Sequence, residues 1–262
     1  MKIIDAHSHI FPTKIAEKAV GSIGAFYNDI KMAHEGTSEA LLASGKAINV
    51  SKYLVFSTAT RPEQVESINR FIVSECKKHD EFLGLGTMHL DYEDFEKEIE
   101  VLKNEGLKGI KLHPDFQKFA FNDKKLYPIY DCLSQNDMFV ITHSGDYRYQ
   151  FSNPFRVEEI AKKFPKLKII ASHFGGWSEW NEAGECLNLP NVYFDTSSTL
   201  GFNGKEGALK VLEKMDKTHF FFGTDFPMWD HEQELKRFLE LGLKSNVVED
   251  ILYNNFAEFY GL

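Results

Sequence analysis

Close to the start of the chain, Asp5-Ala-His-Ser-His9 follows the apolar pair Ile3-Ile4. On an extended backbone alternate side chains share a face, so His7 and His9 project the same way, about 7 Å apart along the chain, and can converge on one point. Polar residues follow short apolar runs again further on: Lys111 and His113 in GIKLHP, His143 in MFVITHS, His173 in KIIASHF, Asp195 in VYFDTSS and Asp225 in HFFFGTDFP. A single histidine in a structured region is more often hydrogen-bonded packing than a ligand. Buried together, however, these groups would each need a separate partner, whereas one cation satisfies all of them. Imidazole and carboxylate are the donors of zinc and its neighbours, so a metal centre is expected. His34, His79, His219 and His231 fall in loops, at helix ends or at the wrong end of a strand and are read as structural, while His89, near the end of the third strand, is left open between the two roles.

The elements that must position these residues are legible as alternating runs. Eight short β-branched and aromatic segments (2–7, 52–58, 82–90, 109–114, 138–144, 168–174, 192–198 and 219–227) are apolar enough for strands covered on both faces. Between them lie segments of helical periodicity, at 61–79, 92–106, 122–136, 153–164, 204–215, 231–242 and 245–261, several opening on Asp, Asn or Pro and closing on Gly, Lys or Asn. His113, His143 and His173 recur every 30 residues, the size of one strand-plus-helix unit. Eight such units close into an α/β fold of the (β/α)8 TIM-barrel type, over one domain spanning 1–262, with the chemistry at the C-terminal ends of the strands. In the fourth strand Ile110 and Leu112 should face the helices while Lys111 and His113 face the lumen, and Asp5 is expected to point inward, near Lys111. The stretch from Phe11 to Asn49 is long for one crossover and reads as an insertion or lid at the barrel mouth. Residues 175–190 read as a loop with a short helix.

Composition narrows the function. Hydrophobic residues make up 43% and charged residues 26% of the 262-residue chain, a globular balance. The net charge of −9 disfavours phosphate backbones and anionic membranes and favours a small-molecule substrate. Cys76, Cys132 and Cys186 are odd in number and lack CxxC spacing, which argues against a disulfide framework and for the cytoplasm. No apolar stretch approaches the ~20 residues of a membrane span, and Asp5 and His7 interrupt any signal-type segment.

The pattern resembles the amidohydrolase superfamily of metal-dependent (β/α)8 hydrolases. It is most similar to the amidohydrolase-related group that includes decarboxylases similar to aminocarboxymuconate-semialdehyde decarboxylase. The pieces that carry the resemblance are IDAHSHIFP at 4–12, GIKLHP at 109–114, THSGD at 142–146, SHFGG at 172–176, YFDTSS at 193–198 and FGTDFP at 222–227, in the family's order over nearly the whole chain. The resemblance implies that His7, His9, His143 and Asp225 bind a divalent cation, usually Zn2+, and that His173 binds a second metal or contacts the substrate. It also leaves Lys111 either carbamylated between two metals or, with His113, holding a substrate carboxylate or carbonyl, the second being favoured.

On that reading a cation lowers the pKa of its water to about 7, Asp225 accepts and returns a proton, and His173 polarises the scissile carbonyl. Lys111, His113, Tyr147 and Arg148 would contact an acidic substrate, and Trp177, Trp180 and Trp229 would wall an aromatic pocket. The expected activity is hydrolysis of a small lactone, ester or amide. The alternative is non-oxidative decarboxylation of an aromatic or unsaturated acid by the same cage. A TatD-like deoxyribonuclease fits less well, because that family carries a glutamate where this chain has Lys111-Leu-His113 and because of the negative charge. A catalytically silent barrel used for binding is the reading from another class, and a homodimer is compatible with all of them.

Overall fold

The computed structural model describes residues 2–262. Its strands are β1 (Ile3–His9), β2 (Val50–Phe56), β3 (Phe82–Gly84), β4 (Gly86–Thr87), β5 (Gly109–Leu112), β6 (Phe139–Thr142), β7 (Ile169–Ala171), β8 (Val192–Asp195) and β9 (Phe220–Phe221), every neighbouring pair being parallel. Continuous pairing runs β1-β2-β3 and then from β4 to β9. The two sheets are one barrel. β3 and β4 are halves of a single strand interrupted at Leu85, whose N–H still donates to Val55 O at 2.9 Å. At the other seam, Ala6 N donates to Phe222 O at 2.8 Å, His9 N to Phe226 O at 2.7 Å and Asp225 N to His7 O at 2.9 Å, which joins the first strand to the last. Eight parallel strands separated by helices therefore close into a (β/α)8 barrel.

Parity sorts the core into two layers. Ile110, Leu112, Val140, Ile169 and Phe194 face the helices. Ile4, Ala6, Leu54, Phe56, Ile141, Ile170 and Phe221 fill the lumen, which the C-terminal helix Asn255–Tyr260 stops from below with Phe256 and Tyr260. β1 departs from simple alternation. Asp5 pairs with Tyr53 and Ser8 with Val55, so three steps on β1 match two on β2, and the extra residue inverts the alternation. Ile4 and Ala6 point inward below this bulge, His7 and His9 above it, and Asp5 points out. The expected pairing of Asp5 with Lys111 is thereby corrected: a one-residue slip sends a side chain to the other face.

Element boundaries differ from expectation mainly near the mouth. The last strand pairs over only two residues, because Gly223-Thr224-Asp225 leaves the ladder and Asp225 takes a left-handed φ of 59°. The helix expected at 204–215 begins earlier, at Thr199, with a kink at Gly204, and the expected 245–261 helix contains a π-helical turn at Asp250–Asn254. The long first crossover folds as helices Thr13–Phe26 and Ser38–Lys46, and residues 180–186 form the short helix expected after β7. All three cysteines are free thiols. No helix among the described residues is long and apolar enough to cross a membrane.

Candidate metal centre

β1 delivers both histidines of the HxH pair to the lumen. His7 Nε2 lies 3.2 Å from His9 Nε2 and 3.4 Å from Asp225 Oδ1, and His9 Nε2 lies 3.3 Å from the same oxygen. Three donor atoms thus form a nearly equilateral triangle. Ligands about 2.1 Å from a tetrahedral cation stand about 3.4 Å apart, so the triangle has the dimensions of one face of such a shell.

Proton accounting supports a cation there. His7 Nδ1 lies 2.9 Å from Asp195 Oδ2, an acceptor, so Nδ1 carries the hydrogen and Nε2 presents a lone pair. That lone pair faces the Asp225 carboxylate, acceptor against acceptor. Burial would raise the Asp225 carboxyl, yet the imidazoles of His7, His9 and His173 outweigh it and hold the group well below the usual carboxylate range. Asp195 is likewise pulled down against its burial, chiefly by His7. Burial lowers His9 to about 4 and His173 to about 4, and lowers His143 well below its ordinary value. These imidazoles are neutral at physiological pH, the form a metal requires. An anionic oxygen among neutral nitrogen donors fits a divalent cation.

Around this triangle the other strand ends add their groups. His173 is fixed by Ser197, whose Oγ lies 2.9 Å from its Nδ1, and by Asp195 Oδ1, which accepts from its backbone N–H at 3.1 Å. Its Nε2 is 3.0 Å from His143 Nδ1. His143 stands outside the His7–His9–Asp225 triangle; its Nε2 is buried without a partner, 3.9 Å from Asp115 Oδ2. Lys111 is fully buried, with Nζ 3.4 Å from His7 Nε2 and 4.9 Å from the centre of the Phe56 ring. Burial lowers its pKa to about 8, against the pull of Asp195 and Asp225. His113 lies flat between Phe116 and His143, at ring separations of 3.8 and 4.2 Å, and its Nε2 is 3.2 Å from the Tyr27 hydroxyl. Asp225 Oδ2 accepts from Ser198 Oγ at 2.5 Å, and Ser198 accepts from the Trp229 indole at 2.9 Å. His173, Phe174, Ser198 and Asp225 all hold left-handed backbone conformations, the kind of local strain that gathers at functional sites.

A small pocket opens over these groups. His7, His9, Lys111, His113, His143, His173 and Asp225 form its floor, and Ile23, Tyr27 and Met32 of the first crossover form part of its wall. Tyr147 and Arg148 depart from expectation. Tyr147 is 63% exposed, and Arg148 turns its nitrogens to Asp146 and to Phe26 O; neither lines the cavity. They follow a loop locked by backbone contact with the loop after β7: Trp177 N donates to Ser144 O at 2.7 Å, and a Cβ on Gly145 would come within 2.4 Å of Gly176 Cα. His89 and the three tryptophans do not line the cavity either. Sequence reasoning missed Tyr27, Phe116, Ser197 and Ser198. The serines stand in the YFDTSS stretch already singled out, whereas nothing in the weakly periodic crossover distinguishes Tyr27.

The comparisons with known proteins bear on the fold and the family. No curated protein matches the chain. Among solved structures, an uncharacterised TIM-barrel protein from Bordetella bronchiseptica superposes with a TM-score of 0.81 at 18% identity, covering 100% of this chain and 99% of the other. A probable 2-pyrone-4,6-dicarboxylic acid hydrolase from Acinetobacter baumannii, with citric acid bound, gives 0.72 at 15% identity over 100% of both chains. A dihydroxybenzoic acid decarboxylase from Polaromonas sp. JS666, with bound manganese and the inhibitor 2-nitroresorcinol, gives 0.75 at 13% identity over 100% and 97%. At these identities the likeness concerns the fold. A family model described as amidohydrolase matches residues 4–262, from the HxH strand through the stop at the barrel floor, and by that match the chain belongs to the amidohydrolase family.

Proposed function

We propose that this protein is a metal-dependent hydrolase of a small acidic or aromatic lactone, ester or amide. His7, His9 and Asp225 hold a divalent cation in this reading, and His143 supplies the adjoining donor. The triangle of His7 Nε2, His9 Nε2 and Asp225 Oδ1, with edges of 3.2 to 3.4 Å, carries the proposal. Two imidazoles and a carboxylate suit zinc. A cation bound there would supply Lewis acidity and a water acidified to near-neutral pKa.

The remaining work falls to side chains. Asp225, kept ionised by its imidazole neighbours, accepts a proton at Oδ1 and returns it to the leaving group, while the Ser198–Trp229 relay fixes its plane through Oδ2. His173, its Nδ1 engaged by Ser197, turns Nε2 toward the reacting carbonyl. Lys111 as an ammonium anchors a substrate carboxylate. The walls formed by Ile23, Met32, Phe116 and Met228 exclude water and favour a flat, partly apolar molecule.

A second reading is non-oxidative decarboxylation of a planar carboxylic acid. The narrow apolar walls around a single lysine suit such a substrate, and the Polaromonas decarboxylase shares the fold and holds manganese. One experiment tests both: enzyme loaded with zinc or with manganese is assayed for CO2 release across aromatic acids and for ring opening across lactones and esters. Hydrolysis without CO2 release supports the first reading, and CO2 release the second. Purified protein that neither contains nor takes up a divalent metal refutes both.

A further inference from the structure

Every nitrogen of Arg148 already donates to a protein oxygen. Its Nε and Nη2 donate to the two carboxylate oxygens of Asp146 at 2.9 and 2.7 Å, and its Nη1 donates to Phe26 O at 2.9 Å. The guanidinium also lies 4.9 to 5.3 Å from the ring centres of Phe26, Tyr27, Tyr149 and Trp177. Phe26 is the last residue of the first crossover helix, and Tyr27 is the next residue, reaching into the metal cavity. A side chain of the β6 loop thus grips the crossover where it passes over the site. Planarity matters here, because the guanidinium meets a carboxylate with two parallel bonds while stacking on aromatic faces, which an ammonium cannot do.

Tyr27 has a donor to spare. Phe116 N–H points at His113 Nδ1 at 3.4 Å, so that nitrogen accepts and His113 Nε2 carries the hydrogen toward the Tyr27 oxygen at 3.2 Å. Tyr27 therefore accepts from His113, and its own O–H has no other partner in the protein among the described residues. Half-buried in the pocket wall, an uncommitted phenolic hydrogen is suited to an anionic or carbonyl oxygen of a ligand.

We propose that Tyr27 is a specificity-determining contact that donates to an oxygen of a planar, oxyanion-bearing substrate, and that Arg148 is the positioning residue that clasps it over the metal pocket. The substrate class rests on the reading under Proposed function; the clasp does not. The metal-loaded protein is the test system, with amide hydrogen exchange as one readout and binding of 2-nitroresorcinol, whose nitro group mimics a carboxylate, as the other.

Arg148→Ala and Asp146→Asn are each expected to raise exchange at residues 20–36 by about tenfold or more, with the remaining strands and helices unchanged. Arg148→Lys falls between, and guanidinium ion added at low millimolar concentration restores protection to Arg148→Ala. Tyr27→Phe keeps the wild-type exchange pattern but weakens 2-nitroresorcinol binding by about tenfold. Unchanged exchange at 20–36 in Arg148→Ala, or a rise spread over the whole barrel, overturns the clasp. Wild-type affinity in Tyr27→Phe overturns the contact alone. A wild-type protein that does not bind 2-nitroresorcinol overturns the contact together with the aromatic-substrate reading, while the exchange experiment still decides the clasp.

Discussion

Two clusters of aspartate and histidine flank β1, made of the same residue types and differing in what their carboxylates face. On the outer side, Asp5 accepts from His7 N at 3.0 Å, Ser8 Oγ at 2.7 Å, Thr224 N at 3.0 Å and Thr224 Oγ1 at 2.6 Å. His231 Nε2 lies 3.1 Å from the same carboxylate, and Ser44 Oγ lies 2.8 Å from His231 Nδ1. Asp5 and His231 are fully buried. This cluster ties the first strand to the last and to the helix beginning at His231. On the lumenal side, His7, His9 and Asp225 bring acceptors face to face beneath a cavity. A buried polar group without a partner costs free energy, so a fold that keeps such an arrangement is reserving it for something that binds. Burial and residue type alone do not separate a structural cluster from a functional one; the groups facing each carboxylate do, four donors at Asp5 and two imidazole nitrogens at Asp225 Oδ1.

The comparison breaks if the two clusters respond alike to mutation. Asp225→Asn should reduce turnover by about 10³-fold or more and lower metal occupancy, because it removes a ligand and the proton acceptor together. The same variant should cost less unfolding free energy than Asp5→Asn, since Ser198 Oγ is the hydroxyl that donates to the Asp225 carboxylate and an amide oxygen can still accept from it. Metal analysis, steady-state rates and urea titration check this. A stability loss without loss of metal would place Asp225 with the structural cluster.

Asp5→Asn should do the reverse. Exchanging a carboxylate that accepts four hydrogen bonds for an amide that cannot accept at both atoms should cost about 3 kcal/mol of unfolding free energy while leaving metal stoichiometry near that of the wild type. Urea titration beside metal analysis reads both quantities.

Asp195 lies between the clusters in role, orienting His7 from behind. Asp195→Asn frees the His7 tautomer and should weaken metal binding by about 10- to 100-fold, as measured by chelator competition. Unaltered affinity would show that the Asp195 contact does not set the ligand.

The smallest effect concerns Glu234, on the helix that carries His231. Burial raises its carboxyl to about 7 against the pull of Arg237, and its Oε2 has no partner. The folded state thus binds this proton more tightly than the unfolded chain, so its contribution to stability is complete below about pH 4.5 and is lost as pH rises through about 7. Glu234→Gln removes that loss. Between pH 5 and 8 the variant should gain on the wild type by on the order of 1 to 2 kcal/mol, read from urea midpoints across pH. A constant difference over that range would contradict the assignment.

Much of the site was legible before any coordinates, because a barrel repeats one rule. Each strand end presents its polar residue to the same mouth, so HxH, KLH, THS, SHF, FDT and TDFP could be placed without knowing a distance. Lys111 and His113 entered the lumen as alternation required, with Ile110 and Leu112 on the helix side. Alternation failed at Asp5, where a bulge on β1 reversed the faces within two residues. It also carried no information about Tyr147 and Arg148, which lie in a loop where spacing does not set direction.

The order of strands and helices, the closing count of eight, the donor types and their station at the strand ends were fixed by local pattern and composition, since each depends on a periodicity of 2 or 3.6 that one segment expresses by itself. Tertiary structure alone decided that Asp5 belongs with His231, that Asp195 stands behind His7, and that Arg148 grips the chain beside Tyr27. These pairings join residues 226, 188 and 122 positions apart in sequence, and they form only where packing brings whole elements together. No short stretch of sequence contains both partners, so no local pattern could have named them.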